Sequence, residues 1–398
     1  MLRTSRFGAG VKHWLKRRDE SLFILRRVFG VPRRPAVLFE VYNTFGFDAQ
    51  EPVIHELAER GLVDVQVSGG AERGLAPHRI AELTRRGVKV IPLDASRHRR
   101  FDAVVITDSR LVNSWRSSHY VFLHHGSAHG NRPDPYAFEM LECGDVDFLL
   151  ALTPHEAHEA HARFGKRLDG RVRVVGQPKL DRLVHTTPTS RAWLELQGLD
   201  PERRTILVLS HWTPTSLLHS WGDEILRLLR LRTEFNVLVT GHHHLWDHPA
   251  RSGGVDWRAR LGWIADEPHM RLFPKPEDLL ALMTAADLAV TDHTSATAEY
   301  ALLNRPLVLF RHPAYLFCDP EYDRLLRRTS SVFSHVSEFP RAFEEALKLE
   351  QVDQPRRGEL LDYCFSHLGD SSRVAALAID EIARCGTLAD VVGPEARD

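Results

Sequence analysis

Three stretches of this chain place chemically able side chains directly after an apolar run, the pattern of a strand that ends at a ligand. In the first, Val121-Phe122-Leu123 runs into His124-His125-Gly126-Ser127, with His129 and Gly130 just beyond. A histidine there can take a proton from an incoming hydroxyl, a role worth roughly 10²–10⁴-fold in rate, and glycine admits a ligand close to the backbone. A structural strand-end histidine and a metal ligand are the competing readings, and the stretch offers none of the further ligands that zinc requires. In the second, Val237 to Gly241 precedes His242-His243-His244. Imidazole N–H groups at a strand end can hold a phosphate oxygen and stabilise developing charge. Neighbours along a chain do not converge easily on one ion, so no metal is assigned. At least one of the three is expected to face outward and idle, and His243 is taken as the catalytic candidate. In the third, Leu288 to Thr291 leads to Asp292-His293-Thr294-Ser295-Ala296-Thr297 and then Glu299. The hydroxyls of Thr294, Ser295 and Thr297 at a helix start, with its free N–H groups, make an anion site, each dipole contribution being about 0.3–1 kcal/mol. The plainer reading is an ordinary N-cap, although capping alone has no need of a row of hydroxyls.

The elements that position these groups alternate strand and helix. Strands are expected at Ala36–Val41, Leu62–Val67, Val88–Leu93, Phe101–Thr107, His119–Leu123, Phe148–Leu152 and Val172–Val175. Helical spacing covers Asp48–Arg60 and Pro77–Arg86 between them. After a linker and short helix at Val184–Arg204, the pattern restarts at Thr205–Leu209, Phe235–Thr240, Met270–Phe273, Leu288–Thr291 and Pro306–Phe310. Short, continuous apolar strands between helices predict parallel sheets covered on both faces, and ligands at such sheets lie beyond the carboxyl ends of the strands. Asp102 to Asp108 and Asp287 to Asp292 even share a strand-then-Asp ending. The partition is a basic segment 1–34, a first parallel-sheet lobe 35–185, a second parallel-sheet lobe 186–370, and a tail 371–398 whose helix Ser371–Arg384 is expected to pack back on the first lobe.

A chain of 398 residues with 43% hydrophobic and 26% charged residues has the composition of a folded protein of two or three domains. Its 52 basic and 53 acidic residues disfavour a globally basic surface for nucleic acid. The scattered Cys143, Cys318, Cys364 and Cys385 fit neither a disulfide framework nor a thiolate metal site, which points to a reducing, cytoplasmic setting. No apolar run approaches the roughly 20 residues of a membrane span, and the start of the chain lacks the apolar stretch of a signal peptide. Residues 1–34 instead carry ten Lys and Arg with Val11, Trp14, Leu15, Leu22, Leu25 and Phe29 near one helical face. Such a helix either lies on the inner membrane surface or docks on its own domain. No Walker A, GxGxxG or GxSxG sequence occurs, which sets aside P-loop, NAD-binding and α/β-hydrolase readings.

Taken in order, the segments resemble the CDP-glycerol glycerophosphotransferases of teichoic-acid and capsule synthesis, which have the GT-B fold of two Rossmann-like lobes facing a central cleft. His125-Gly126-Ser127 resembles the family's His-Gly motif. Gly176-Gln177-Pro178-Lys179-Leu180-Asp181 resembles its Gly-x-Pro-x-x-Asp element, and Ser210-His211-Trp212-Thr213-Pro214 a further strand-end segment. Asp292-His293-Thr294-Ser295 stands where the family has Asp-Tyr-Ser-Ser, followed by Arg305-Pro306, and Gly369-Asp370-Ser371-Ser372-Arg373 resembles its closing helix start. The departures are His293 in place of tyrosine and His242-His243-His244 in place of His-Pro. The resemblance implies transfer of an alcohol phosphate from a CDP-activated donor to a hydroxyl of a polymer or lipid-linked acceptor at the inner membrane surface, with CMP leaving; no cofactor is expected, and a divalent ion is left open. His125 is then the general base, and His242–His244, Asp292–Ser295, Thr297 and Glu299 hold the donor. Arg305, Arg311, Arg373 and Lys179 add positive charge, with Asp181, His211 and Thr213 lining the cleft. A GT-B glycosyltransferase or UDP-sugar 2-epimerase relative, and a catalytically idle GT-B-like subunit, are the competing expectations.

Overall fold

The computed structural model describes residues 34–96, 99–107, 119–126, 136–185, 191–247, 249–274, 276, 278–349 and 354–389. The expected basic helix within 1–34, together with Ser127, His129, Gly130, Asp108 and the end of the tail, lies outside the described residues apart from Arg34. The described residues divide into two compact units. One takes the chain as far as Gly126, then 136 to Asp181, and again from Phe365 onward; the other takes Arg182–Cys364.

The first unit holds a sheet of β1 (Ala36–Glu40), β2 (Asp64–Ser68), β3 (Lys89–Ile91), β4 (Ala103–Ile106), β5 (His119–Leu123), β6 (Phe148–Ala151) and β7 (Val172–Val174). Its order is β3-β2-β1-β4-β5-β6-β7 and every pairing is parallel. The second holds β8 (Arg204–Ser210), β9 (Phe235–Gly241), β10 (Met270–Leu272), β11 (Leu288–Thr291), β12 (Leu307–Phe310) and β13 (Ser331–Phe333). Its order, β10-β9-β8-β11-β12-β13, is parallel throughout as well. Both run outward in two directions from their first strand, the doubly wound order whose ligand crevice lies at the point of reversal: between β1 and β4 in one unit, between β8 and β11 in the other.

Strands buried on both faces need apolar side chains at every position, and Val37, Leu38 and Phe39 or Ile206, Leu207 and Val208 are almost wholly sealed from water. The same device starts the central pair of strands in each unit. Asp102 Oδ2 accepts Ala36 N at 2.7 Å before β4, and Asp287 Oδ2 accepts Thr205 N at 2.7 Å before β11. The helix Thr44–Arg60 starts at Asn43, whose side chain accepts Gly46 N, and stops at Gly61, whose φ of 60° is cheap only for glycine.

The helix Ser371–Cys385 belongs to the first unit. It buries Ala375, Ala376, Ala378, Ile379, Ile382 and Ala383 in the cluster built by Val37, Phe39, Val53, Leu57 and Val121. Its start is held by Asp181, whose carboxylate accepts Ser371 N at 3.1 Å and Ser372 N at 2.7 Å. Gly176, at φ 77°, lies so close to Ser366 that a Cβ would run into its carbonyl oxygen. The Gly-x-Pro-x-x-Asp element is thus the seat of this helix.

Candidate functional site at the carboxyl ends of the strands

In the first unit, β5 ends at His124 and His125, and the two differ in environment. His124 is buried and its Nε2 lies 2.7 Å from Oε1 of Glu156, also buried, whose other oxygen accepts Leu152 N at 2.8 Å. His125 is exposed, and its Nδ1 sits 2.6 Å from the carbonyl oxygen of Thr107, at the end of β4. A carbonyl only accepts, so Nδ1 carries the proton. In the neutral ring, Nε2 is then the basic nitrogen. Sequence reasoning had no means of finding the Thr107 contact, because it joins neighbouring strands 18 residues apart.

In the second unit, the switch point is organised by Asp292, fully buried at the end of β11. Its carboxylate accepts Ser210 Oγ at 2.8 Å, His211 N at 3.0 Å, Leu217 N at 2.8 Å and Thr294 N at 3.0 Å. Burial pushes its carboxyl above the usual range, against the pull of His211 and of these donors. The four donors tie together the end of β8, the start of the helix Leu217–Arg230 and the turn after β11. Asp292 therefore shapes the site from beneath and is closed to a donor molecule.

The hydroxyl row predicted as a phosphate site is not presented as a row. Thr297 is fully buried; its Oγ1 donates to the Asp292 carbonyl at 2.7 Å and meets Thr291 Oγ1 at 2.8 Å. Thr294 is buried too, so only Ser295 is part-exposed, and the helix behind it, Ala296–Ala301, has six residues. Glu299, expected to hold the donor, is also buried, as is His293.

A continuous band of rings takes the row's place. Tyr315 stacks on His293 at 3.8 Å between centroids, and His293 lies 4.7 Å from His211. His211 lies 5.5 Å from His242, which is 4.2 Å from His243. Trp212 meets the edge of His244 at 5.1 Å. Thr213 links the band: its Oγ1 is 2.9 Å from His293 Nε2, and its N–H donates to His211 Nδ1 at 3.3 Å. Burial, with His293 and His244 adding repulsion and Asp292 opposing, lowers His211 to about 4. Burial, then His312, lowers His293 to about 3. Both are neutral at pH 7, and His211, with Nδ1 accepting, keeps its proton on Nε2 as an uncharged donor. Tyr315 and Trp212 were missed by sequence reasoning; the aromatic flank of Ser210-His211-Trp212-Thr213 was the available signal for Trp212.

At least one of His242, His243 and His244 is expected from the sequence to face outward and idle. All three are part-exposed, and one ligating atom from each falls within 4.8 Å of the others. The chain leaves β9 at Gly241 and turns at once into the helix His244–Asp247, with Leu245 N donating to His242 O at 2.9 Å and Trp246 N to His243 O at 3.0 Å. The turn removes the alternation by which a strand sends neighbouring side chains to opposite faces.

The arginines are employed elsewhere. Arg305 donates to the carbonyls of Met283, Thr284 and Ala286, Arg311 pairs with Asp323 at 3.1 Å, and the exposed Arg373 pairs with Asp370. Asp181 is committed to the helix Ser371–Cys385, and Lys179 and Gly126 are part-exposed in the first unit. No described helix is long and apolar enough to cross a membrane.

No protein-family model matches the sequence, and no curated protein does. Solved structures do match. The wall teichoic acid polymerase TagF soaked with CDPG superposes with a TM-score of 0.62 at 13% identity, covering 96% of this chain and 99% of that one. S. aureus MnaA, in a co-structure with UDP, gives 0.57 at 12% identity over 89% and 98%. A glycosyltransferase from Rickettsia africae ESF-5 gives 0.51 at 12% identity over 89% and 100%. With two doubly wound parallel sheets and this likeness along most of its length, the chain has the GT-B fold, two Rossmann-like lobes.

Proposed function

We propose that this protein is a transferase that moves an alcohol phosphate, such as glycerol phosphate, from a CDP-activated donor to a hydroxyl of a cell-surface polymer or lipid-linked acceptor, releasing CMP. The observation that carries the reading is His125, whose Nδ1–H is committed to the Thr107 carbonyl and whose Nε2 is thereby the proton acceptor. The acceptor oxygen attacks the phosphorus that bears the alcohol, the bond to the bridging oxygen breaks, and CMP departs with that oxygen. The acceptor's proton passes to His125 Nε2. His211 and the histidines His242–His244 donate to the diphosphate, Ser295 and Thr213 add hydroxyls, and neutral imidazoles hold it through oriented N–H groups. The fold shared with a polymerase soaked with CDPG supports a nucleotide-activated donor, and the UDP co-structure of a second protein of this fold supports the rival, a nucleotide-sugar enzyme.

Incubation with CDP-glycerol, CDP-ribitol and a panel of UDP-sugars, each with a polyol-phosphate acceptor, separates the two. CMP release is expected, falling by about 10²–10⁴-fold in His125→Ala. Release of UDP without CMP would overturn the reading in favour of the rival, and turnover unchanged in His125→Ala would remove the base.

A further inference from the structure

The turn after β9 has a property that phosphate binding does not require. We infer that His242, His243 and His244 form a binding site for a divalent cation of the zinc class, with an open coordination position. The ligating atoms of the three rings lie within 4.8 Å of one another, and all three side chains are reachable from solvent. A tetrahedral ion about 2.0–2.1 Å from each nitrogen needs them roughly 3.3 Å apart. Closing that gap is asked of rotation about the side-chain bonds of the three part-exposed histidines.

The donor set selects the ion. Imidazole suits Zn²⁺, Co²⁺ and Ni²⁺ and leaves Mg²⁺ and Ca²⁺, which want oxygen, without ligands. Three histidines leave the fourth position of a tetrahedral ion to water or an incoming oxygen, the layout of reactive rather than structural zinc sites. The surroundings contain the expected support. Asp247 Oδ2 and Arg251 Nη1 each lie 3.4 Å from His244 Nδ1; once Nδ1 carries the proton it can donate only to Asp247, the carboxylate–histidine arrangement that leaves Nε2 for a metal. His242 Nδ1 accepts His244 N at only 3.3 Å, a long contact that is given up when Nε2 binds the ion and the proton moves to Nδ1. The backbone brings the three residues together in immediate succession at the turn between Gly241 and the helix His244–Asp247.

The site deepens the transferase reading, since a bound ion would offer its open position to a diphosphate oxygen in place of N–H groups from these three rings, and its test uses no nucleotide, so the two can fail separately. Tag-free, chelator-treated full-length protein is titrated with Co²⁺ by visible absorption and with Zn²⁺ by calorimetry. One equivalent of each is expected to bind, Co²⁺ with the intense bands of four-coordinate geometry, and Mg²⁺ is expected to compete for neither. In His243→Asn/His244→Asn the bands vanish, with circular dichroism as the control for folding. Asp247→Asn, an exposed substitution that leaves all three ligands in place, weakens Zn²⁺ about tenfold or more. Should the double variant not fold, His244→Gln and Asp247→Asn decide the matter. Absence of stoichiometric binding, or binding unchanged in these variants, overturns the site.

Discussion

His293 stands next to the Tyr315 end of the ring band, buried, stacked on Tyr315 and bonded to Thr213. Its proton affinity has a consequence for the folded state. An unfolded histidine titrates near 6.5, while His293 in place titrates at about 3 and His211 at about 4. Between those values the unfolded chain binds more protons, so stability falls as pH drops below 6.5 and levels off once the folded values are passed. Each histidine contributes up to about 1.4 kcal/mol per pH unit in that window. Asp292, raised by burial, acts in the opposite sense above the ordinary aspartate value. Urea unfolding of the native chain and of His293→Tyr, compared at pH 7 and pH 5, checks this. The variant is expected to lose less stability on acidification, since tyrosine keeps the stack and offers a hydroxyl to Thr213 but takes up no proton. An equal loss in both would mean that His293 is not the neutral, buried group described.

At the scale of elements, Asp292 holds three of them with one carboxylate. Asp292→Ala leaves its donors buried without an acceptor, and a loss of about 3–5 kcal/mol is expected, read as a lower urea midpoint. A change below about 1 kcal/mol would mean that water replaces the carboxylate. Such ties also mark where the sequence could be read and where it could not. Strands such as Phe235–Gly241 and Leu288–Thr291 were legible because burial on both faces demands unbroken apolar runs. Ser331–Phe333 was not; three residues set among serines carry no pattern to distinguish them from a loop. His125 was legible as a strand-end histidine, whereas its tautomer depends on a carbonyl of the adjacent strand. Thr297 was misread because composition reports a hydroxyl without its direction, and the turn after β11 sends it inward. The clustering of the three histidines was not legible, because the turn within two residues of β9 leaves no pattern in the sequence. Asp181 could be picked out by its motif, but its partners Ser371 and Ser372 lie 190 and 191 residues away, beyond any local pattern.

Across the described residues, the first unit is built from separate stretches of the sequence and the second from Arg182–Cys364. Removing residues 365–398 takes away the helix whose buried face completes the first core. The truncated protein is expected to keep a protease-resistant core from the second unit while residues 34–181 become labile, and residues 182–364 produced alone are expected to fold. Resistance of residues 34–181 in the truncated form would show that the helix is dispensable. The dependence of Gly176 and Asp181 on a helix far down the chain also sets an order of assembly on the ribosome. The lobe translated second has all its strands available before the lobe translated first can close, and the earlier sheet waits with an apolar face uncovered until the last helix emerges. A nascent chain halted between Cys364 and Ser371 would therefore carry a finished later lobe and an open earlier one, the species on which a chaperone that grips exposed apolar surface should act.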